Sequence, residues 1–458
     1  MAAAAQSGKA LSPEAERPEA TMTSLLVLNG GASVKPDKSG AAVQIADPLD
    51  FFANSDINSG DIVVLDALIK QLEFTAIRSI GFDRAALEDA WPKAEPDVTI
   101  IRGSNYLSAE LDLGAVLPLV RRLKGPIIPI GIGAQAARYS PIEIPAGSVA
   151  FWREVAGKCV SLGVRGAYTA EILAGIGIHN VRIIGCPSFY RSLRPSLTMR
   201  RADPDTARIG LTLNKYLTGP YASNRLKTIR LQRALIAAAA RRPGSHVFSQ
   251  GEREESLLPL VAPPERAALL ARILESFDLR EDAAAAALLG QNISAHRDVD
   301  EWAADIDSRT DFMVGFRVHG TVMALQQGIP GIYVTYDARI RELAALYRVP
   351  SLDIEDFLPM DLPRMIEAAD FTKFEQAYRE NYAEYRLFLE ENGLRHRLPP
   401  AVTPGRTAPV NPLPEALSPR FSQGTLETWF RGEWEALARS NEALHAQLQP
   451  RFIHRGRA

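Results

Sequence analysis

The chain has 458 residues, 46% hydrophobic and 23% charged, and its 52 Lys+Arg against 54 Asp+Glu give a formal net charge of −2. The length allows about three domains, or two larger ones with tails, and the near-zero charge excludes the basic footprint of a nucleic-acid binder. Two cysteines, Cys159 and Cys186, cannot build a disulfide framework, and no apolar run reaches the ~18 residues of a membrane span, so a reducing, cytoplasmic setting is expected.

Residues 1–23 are rich in Ala, Glu and Pro, with acids in place of an apolar signal core, and read as a disordered leader. Ordered structure is expected from Ser24. The run 24–28 (SLLVL) reads as a strand closed by Asn29-Gly30-Gly31, and 58–72 as a helix with Asn58 or Ser59 as N-cap. Strands follow at 74–80, 98–102 (VTIIR), 127–132 (IIPIGI), 160–165 and 181–184, with helices at 115–123 and 166–175. This alternation predicts a parallel α/β domain over 24–195. The polar stretch 194–207 is a linker candidate. A second series starts with strand 208–213 and helix 227–241, then strand 246–249, strand 311–316, helix 320–327, strand 331–335 and helix 338–347. Over 208–397 it predicts a second Rossmann-like domain facing the first across a cleft. Residues 398–423 form a Pro-rich linker. In 424–458, Leu426, Trp429, Phe430, Leu437 and Leu444 line one face of an amphipathic helix before a basic end. That helix is expected to pack on its own chain or a dimer mate, a partner or the inner membrane face being the other occupants.

In open parallel sheets, ligands lie beyond the carboxyl ends of the strands. The richest such loop is Gly315-Phe316-Arg317-Val318-His319-Gly320-Thr321. If 317–319 stay extended, Arg317 and His319 share a side, and the N–H groups of Gly320 and Thr321 face an anion at a helix start. A fixed cation, a titratable imidazole and a helix N-terminus suit an anionic substrate that needs proton transfer. The bland alternative is an Arg and a His that cap surface structure. Asn58, Ser59, Gly60 and Asp61 form the counterpart helix start in the first half. Gly131-Ile132-Gly133-Ala134-Gln135-Ala136 formally matches a dinucleotide fingerprint, but Pro141 and Pro145 follow closely, so it reads as a glycine-rich turn lining the cleft. No phosphate-cradling GxxxxGK[ST], HExxH or paired CxxC occurs. Asp305-Ile306-Asp307 resembles a metal-binding DxD only by spacing, so neither metal nor cofactor is expected.

Across 54–352 the sequence resembles the polysaccharide pyruvyl transferase family. The pieces are NSGD (58–61), the strand ending in Gly103-Ser104, PIIPIGIGAQ (126–135), SLGVRGAYTAEIL (161–173), VRIIGCPSFY (181–190) and GFRVHGTVMALQQGIPGIYVTYD (315–337). The resemblance implies a two-Rossmann, glycosyltransferase-B-like fold. It also implies transfer of pyruvate from phosphoenolpyruvate to a sugar or glycan acceptor, free or lipid-linked, commonly as a ketal. His319 and Arg317 would take the acid/base and anion-binding roles, and Arg165 would be a second anion contact. Gly103, Ser104, Gly131, Gly133 and Gln135 would join Asn58–Asp61, Gly320 and Thr321 around the substrate. Two positions depart from the family: Cys186-Pro187 stands where many members have Asp-Pro, and Arg339 where Lys is usual. A nucleotide-sugar-dependent glycosyltransferase of the same architecture, and a non-catalytic glycan-assembly component docking through its tail helix, remain the alternatives.

Overall fold

Twelve parallel strands in two sheets form the frame of the computed structural model, which describes residues 23–28, 58–214, 221–356 and 361–406. The leader, the Asn29-Gly30-Gly31 turn and the tail helix at 424–447 lie outside the described residues. The first half runs β1 Ser24–Leu28, α1 Ser59–Gln71, β2 Ala76–Ile80, α2 Phe82–Ala85, β3 Val98–Arg102, α3 Leu117–Arg122, β4 Ile127–Ile132, α4 Ala146–Ala156, β5 Leu162–Val164, α5 Ala167–Gly175 and β6 Val181–Ile183. The second half begins with β7 Ile209–Thr212, α6 Arg225–Ala240, β8 His246–Ser249, α7 Arg253–Leu257, α8 Pro263–Ser276, α9 Ala283–Gln291, β9 Ile293–Ala295 and α10 Val299–Arg309. It continues with β10 Phe312–Gly315, α11 Val318–Gln326, β11 Gly331–Thr335, α12 Ala338–Tyr347, β12 Ser351–Asp353, α13 Leu362–Ala368 and α14 Thr372–Glu391.

The first sheet has the order β2-β1-β3-β4-β5-β6 and the second β12-β11-β10-β7-β8-β9. Strand order therefore reverses between β1 and β3 in one sheet and between β7 and β10 in the other. At such switch points neighbouring crossovers leave in opposite directions and open a crevice at the carboxyl ends of the strands. The loops that carry Asn58–Asp61, Gly103-Ser104 and Arg317–His319 all leave from these points. The buried apolar runs of β3, β4, β7, β10 and β11 have both faces covered by helices, as parallel strands require.

Helix α1 is not an outer amphipathic helix. Eleven of its thirteen residues are buried, because it packs against the Pro187–Tyr190 turn, α10 and α11. An ion network fastens this seam: Arg191 pairs with Asp66 of α1 and, at 2.7 Å, with Asp300 of α10, which also takes Lys70 at 2.7 Å. The long helix α14 returns from the second half to the first sheet. There Tyr385 donates to Gln71 Oε1 at 2.7 Å, Arg182 pairs with Glu384 and Glu391, and Asn392 Oδ1 accepts from Val160 and Ser161 N–H. The expected linker at 194–207 holds no regular element, yet it is tied down, Arg200 N–H reaching Gly328 O and Met199 N–H reaching Glu375. The expected helix at 115–123 starts as a 3-10 turn over Gly114–Val116, with Pro118 near the start of α3.

Candidate active site

At the second switch point, β10 delivers Arg317 as the extended N-cap of α11, and only that residue is extended. Val318 and His319 already lie in the first helical turn, which corrects the expected extended run over 317–319. The Arg317 guanidinium is committed: it forms an ion pair with the buried Glu252 and donates to Leu213 O at 3.3 Å. The Gly320 N–H, expected to face an anion, donates instead to Gln250 Oε1 at 3.0 Å. The Thr321 hydroxyl turns back on Arg317 O at 3.5 Å.

The first half meets this loop directly. Asn58 caps α1 by accepting from Gly60 N–H, and Gln250 joins the two loops, accepting from Ser59 N–H on its backbone and donating to Asn58 Oδ1 at 3.2 Å. A Cβ at Gly60 would stand 2.2 Å from His319 Nδ1, so only glycine lets the helix start approach the ring this closely. On the ring's other side Cys186 Sγ lies 3.8 Å from His319 Nε2, and it accepts from Ser188 Oγ at 3.0 Å. Arg102, at the end of β3, pairs with Asp61 at 2.8 Å. Arg165, at the end of β5, donates to Asn105 Oδ1 at 2.6 Å and lies 4.0 Å from Cys186 Sγ, while Asn105 donates to Gln135 Oε1 at 3.1 Å. Gly131 (φ +78°) turns the chain against Pro187, and Gly103 and Gly133 let the backbone and the Arg165 stem close over it. Ser104 accepts Gly133 N–H on its carbonyl.

Four guanidiniums, those of Arg165, Arg339, Arg102 and Arg317, thus act electrostatically on one imidazole. Burial first, and then their positive charge, drives His319 well below its ordinary range, so the ring is neutral at pH 7. Asp61, Glu252 and Asp337 neutralise Arg102, Arg317 and Arg339. Among the described residues, no carboxylate reaches Arg165 within ion-pair distance. Glu342 is close enough to feel it, but hydrogen-bonds Thr169 N–H (2.7 Å) and Thr169 Oγ1 (2.9 Å) instead; burial holds its carboxyl up at about 7. Buried polar atoms lacking a partner also collect here: Ser59 Oγ, Arg165 Nε, Asn214 Oδ1, Glu252 Oε2 and Arg339 Nε. Such atoms are expected to be satisfied by water or a bound molecule.

The structure therefore brings Asn58, Ser59, Gly60, Asp61, Arg165, Gln135, Arg317 and His319 into one constellation. Gly103, Ser104, Gly131 and Gly133 shape its floor, and Gly320 and Thr321 are engaged within the protein. Sequence reasoning missed Arg102, Asn105, Gln250 and Glu252. Each is a polar residue at or just beyond an apolar strand, and that placement was the available signal. Among the described residues, no group of three or more His, Cys, Asp or Glu is placed to hold a metal, and no helix is long and apolar enough to cross a membrane.

The profile of the polysaccharide pyruvyl transferase family matches residues 58–338. No curated protein matches the sequence. Among solved structures, a UDP-N-acetylglucosamine 2-epimerase aligns at 10% identity and a TM-score of 0.40, over 83% of this chain and 99% of that one. A putative UDP-N-acetylglucosamine 2-epimerase from Listeria monocytogenes aligns at 11% and 0.38, over 81% and 98%. A variant of the wall teichoic acid polymerase TagF aligns at 10% and 0.31, over 81% and 84%.

Proposed function

The chain belongs to the polysaccharide pyruvyl transferase family and is a transferase, and from that premise we propose that it moves a pyruvyl group from phosphoenolpyruvate to a sugar of a polysaccharide or glycan precursor, closing a ketal across two hydroxyls. The observation that carries this reading is Arg165: a buried cation with a bare Nε and, among the described residues, no ion-pair carboxylate, whose charge together with three further guanidiniums acts on a neutral imidazole. A donor bearing both a carboxylate and a phosphate supplies the missing negative charge.

The same charge prepares the acid. A bound anion offsets the four guanidiniums and raises the His319 pKa, so the ring takes up a proton. The imidazolium then protonates the methylene carbon of the donor, and C2 becomes electrophilic. The first sugar hydroxyl adds to C2, and His319, now neutral, takes its proton and is restored. Loss of phosphate, carrying the proton of the second hydroxyl, leaves C2 to close the ketal. Proton transfer of this kind contributes typically about 10²–10⁴-fold. Asn58, Ser59 and Gln135, which belong to the same constellation, would orient the donor. A cytoplasmic setting fits the two free thiols. The acceptor would be a free or lipid-linked glycan, the latter at the inner membrane face, and residues 424–458 are the segment through which a second copy or a partner would dock.

The test is ligand-dependent stability followed by turnover. Phosphoenolpyruvate at 100 times its Kd should add roughly 2.7 kcal/mol of stability, and phosphate should appear when an acceptor glycan is added. Stabilisation by sugar nucleotides but not by phosphoenolpyruvate would point to glycosyl transfer and end this reading.

A further inference from the structure

Among the described residues, two large aromatic side chains are exposed, Tyr139 at 38% and Tyr221 at 43%. A single exposed tyrosine needs no explanation. These two come from different halves, each in a loop at the carboxyl end of its own sheet. Tyr139 follows β4 in the loop that begins with Gln135, and Tyr221 lies in the connection from β7 to α6, so both leave the carboxyl ends of their sheets.

The two loops are held together by the start of α12. Arg341 is fixed by Asp353 through two hydrogen bonds, of 2.7 and 2.8 Å, and from there its guanidinium reaches Ala137 O in one loop and Ser223 Oγ in the other. Ala338 N–H donates to Ala136 O, and Ser223 N–H to Tyr336 O. Each tyrosine also lies within electrostatic range of charged groups of the site. The Tyr139 hydroxyl is pushed up by burial and by the nearby negative charge of Glu342, and Tyr221 lies within electrostatic range of Arg339, one of the four guanidiniums that act on His319. Behind Tyr139, Tyr168 packs at 5.0 Å between centroids and donates to Ser140 O, so the outer ring rests on a rigid support. Arg138 crosses from this loop to Glu355 of the second half at 2.8 Å.

An exposed aromatic face set among hydrogen-bonding side chains matches a pyranose ring, which offers a patch of C–H groups on one face and hydroxyls around its edge. The geometry points to Tyr139 and Tyr221 as the acceptor subsite, a stacking platform for a pyranose unit of the glycan whose hydroxyls are presented to His319. Calling that sugar the acceptor rests on the transferase reading above; the stacking surface itself does not.

Glycan binding is therefore measured directly and apart from turnover. Wild type, Tyr139→Ala/Tyr221→Ala and Tyr139→Phe/Tyr221→Phe are titrated with short oligosaccharides of glucose, galactose, mannose, N-acetylglucosamine and N-acetylmannosamine. Phosphoenolpyruvate is titrated in parallel, and melting curves establish that each variant is folded. Wild type is expected to bind at least one oligosaccharide, the alanine variant about 10-fold or more weakly, and the phenylalanine variant nearly as well as wild type, all with unchanged phosphoenolpyruvate affinity. Equal glycan affinity in the alanine variant, or no binding of any oligosaccharide by wild type, overturns the subsite. Tyrosine-dependent glycan binding without phosphoenolpyruvate binding sustains the subsite and removes the proposed donor.

Discussion

Alanine at Gly60 would put a methyl group 2.2 Å from His319 Nδ1 and 2.7 Å from Gln250 Nε2. One of those side chains must move. Overpacking of this kind costs about 1–3 kcal/mol, and here it falls on the ring proposed to move the proton. Gly60→Ala should therefore remain folded with a lowered melting temperature and lose kcat far more than its stability loss implies; normal turnover would detach the α1 start from the chemistry. The neutral resting state of His319 gives a second expectation. Because a bound anion raises the imidazole pKa, phosphoenolpyruvate binding at pH 7 should take up protons, seen as a binding enthalpy that varies with the ionisation enthalpy of the buffer. His319→Ala should erase that dependence and depress kcat by roughly 10²-fold or more. Arg165→Ala should instead weaken the donor, with a roughly 10–150-fold loss in kcat/KM for a charge-assisted bond of ~1.5–3 kcal/mol.

At the scale of elements, Glu342 shows how a helix of one half finishes a helix of the other. It leaves α12 to cap α5 through Thr169, whose hydroxyl in turn accepts Ala134 N–H at 3.0 Å, while the chain at Gly166 has no room for a Cβ beside the Glu342 stem. Its carboxyl is raised from 4.5 to about 7 by burial. A raised folded-state pKa gives stability that is complete below the unfolded value and is lost as pH rises through the folded one. The melting temperature of wild type should thus fall relative to Glu342→Gln between about pH 4.5 and 7, with a constant gap above. His319, depressed, pulls the other way, its contribution being complete above its ordinary value near 6.5 and declining as pH falls below it. No single-sequence pattern announces a cross-half cap of this sort. Short apolar runs such as VTIIR and IIPIGI made most of the strands legible, whereas Ile293–Ala295 and Ser351–Asp353 are three residues each and half polar in context. The Arg317–His319 loop was legible because a cation and an imidazole stand together where a strand meets a helix. Gln250 and Glu252 were not, because their meaning depends on the loop they face across the fold.

For the whole molecule, the junction between the sheets rests on burial and on a charge network. Arg191 stands between the buried Asp66 and the exposed Asp300, and burial already raises the Asp66 pKa against the pull of Arg191. Arg191→Met leaves that carboxylate with only Lys70, 4.0 Å away, and should cost up to about 3–5 kcal/mol, read as a lower denaturant midpoint; Asp66→Asn in the same background should restore part of it. Helix α14 has a different kind of consequence, one of timing. Tyr385 covers Gln71 of α1, and Phe388 and Asn392 cover Gly163 of β5 and the preceding Ser161, yet they follow β6 by about 200 residues. At 5–20 residues per second of synthesis, that interval is roughly 10–40 s. Throughout it the nascent first sheet is without its closing helix, so its apolar surface is open to chaperones and to aggregation until α14 has left the ribosome.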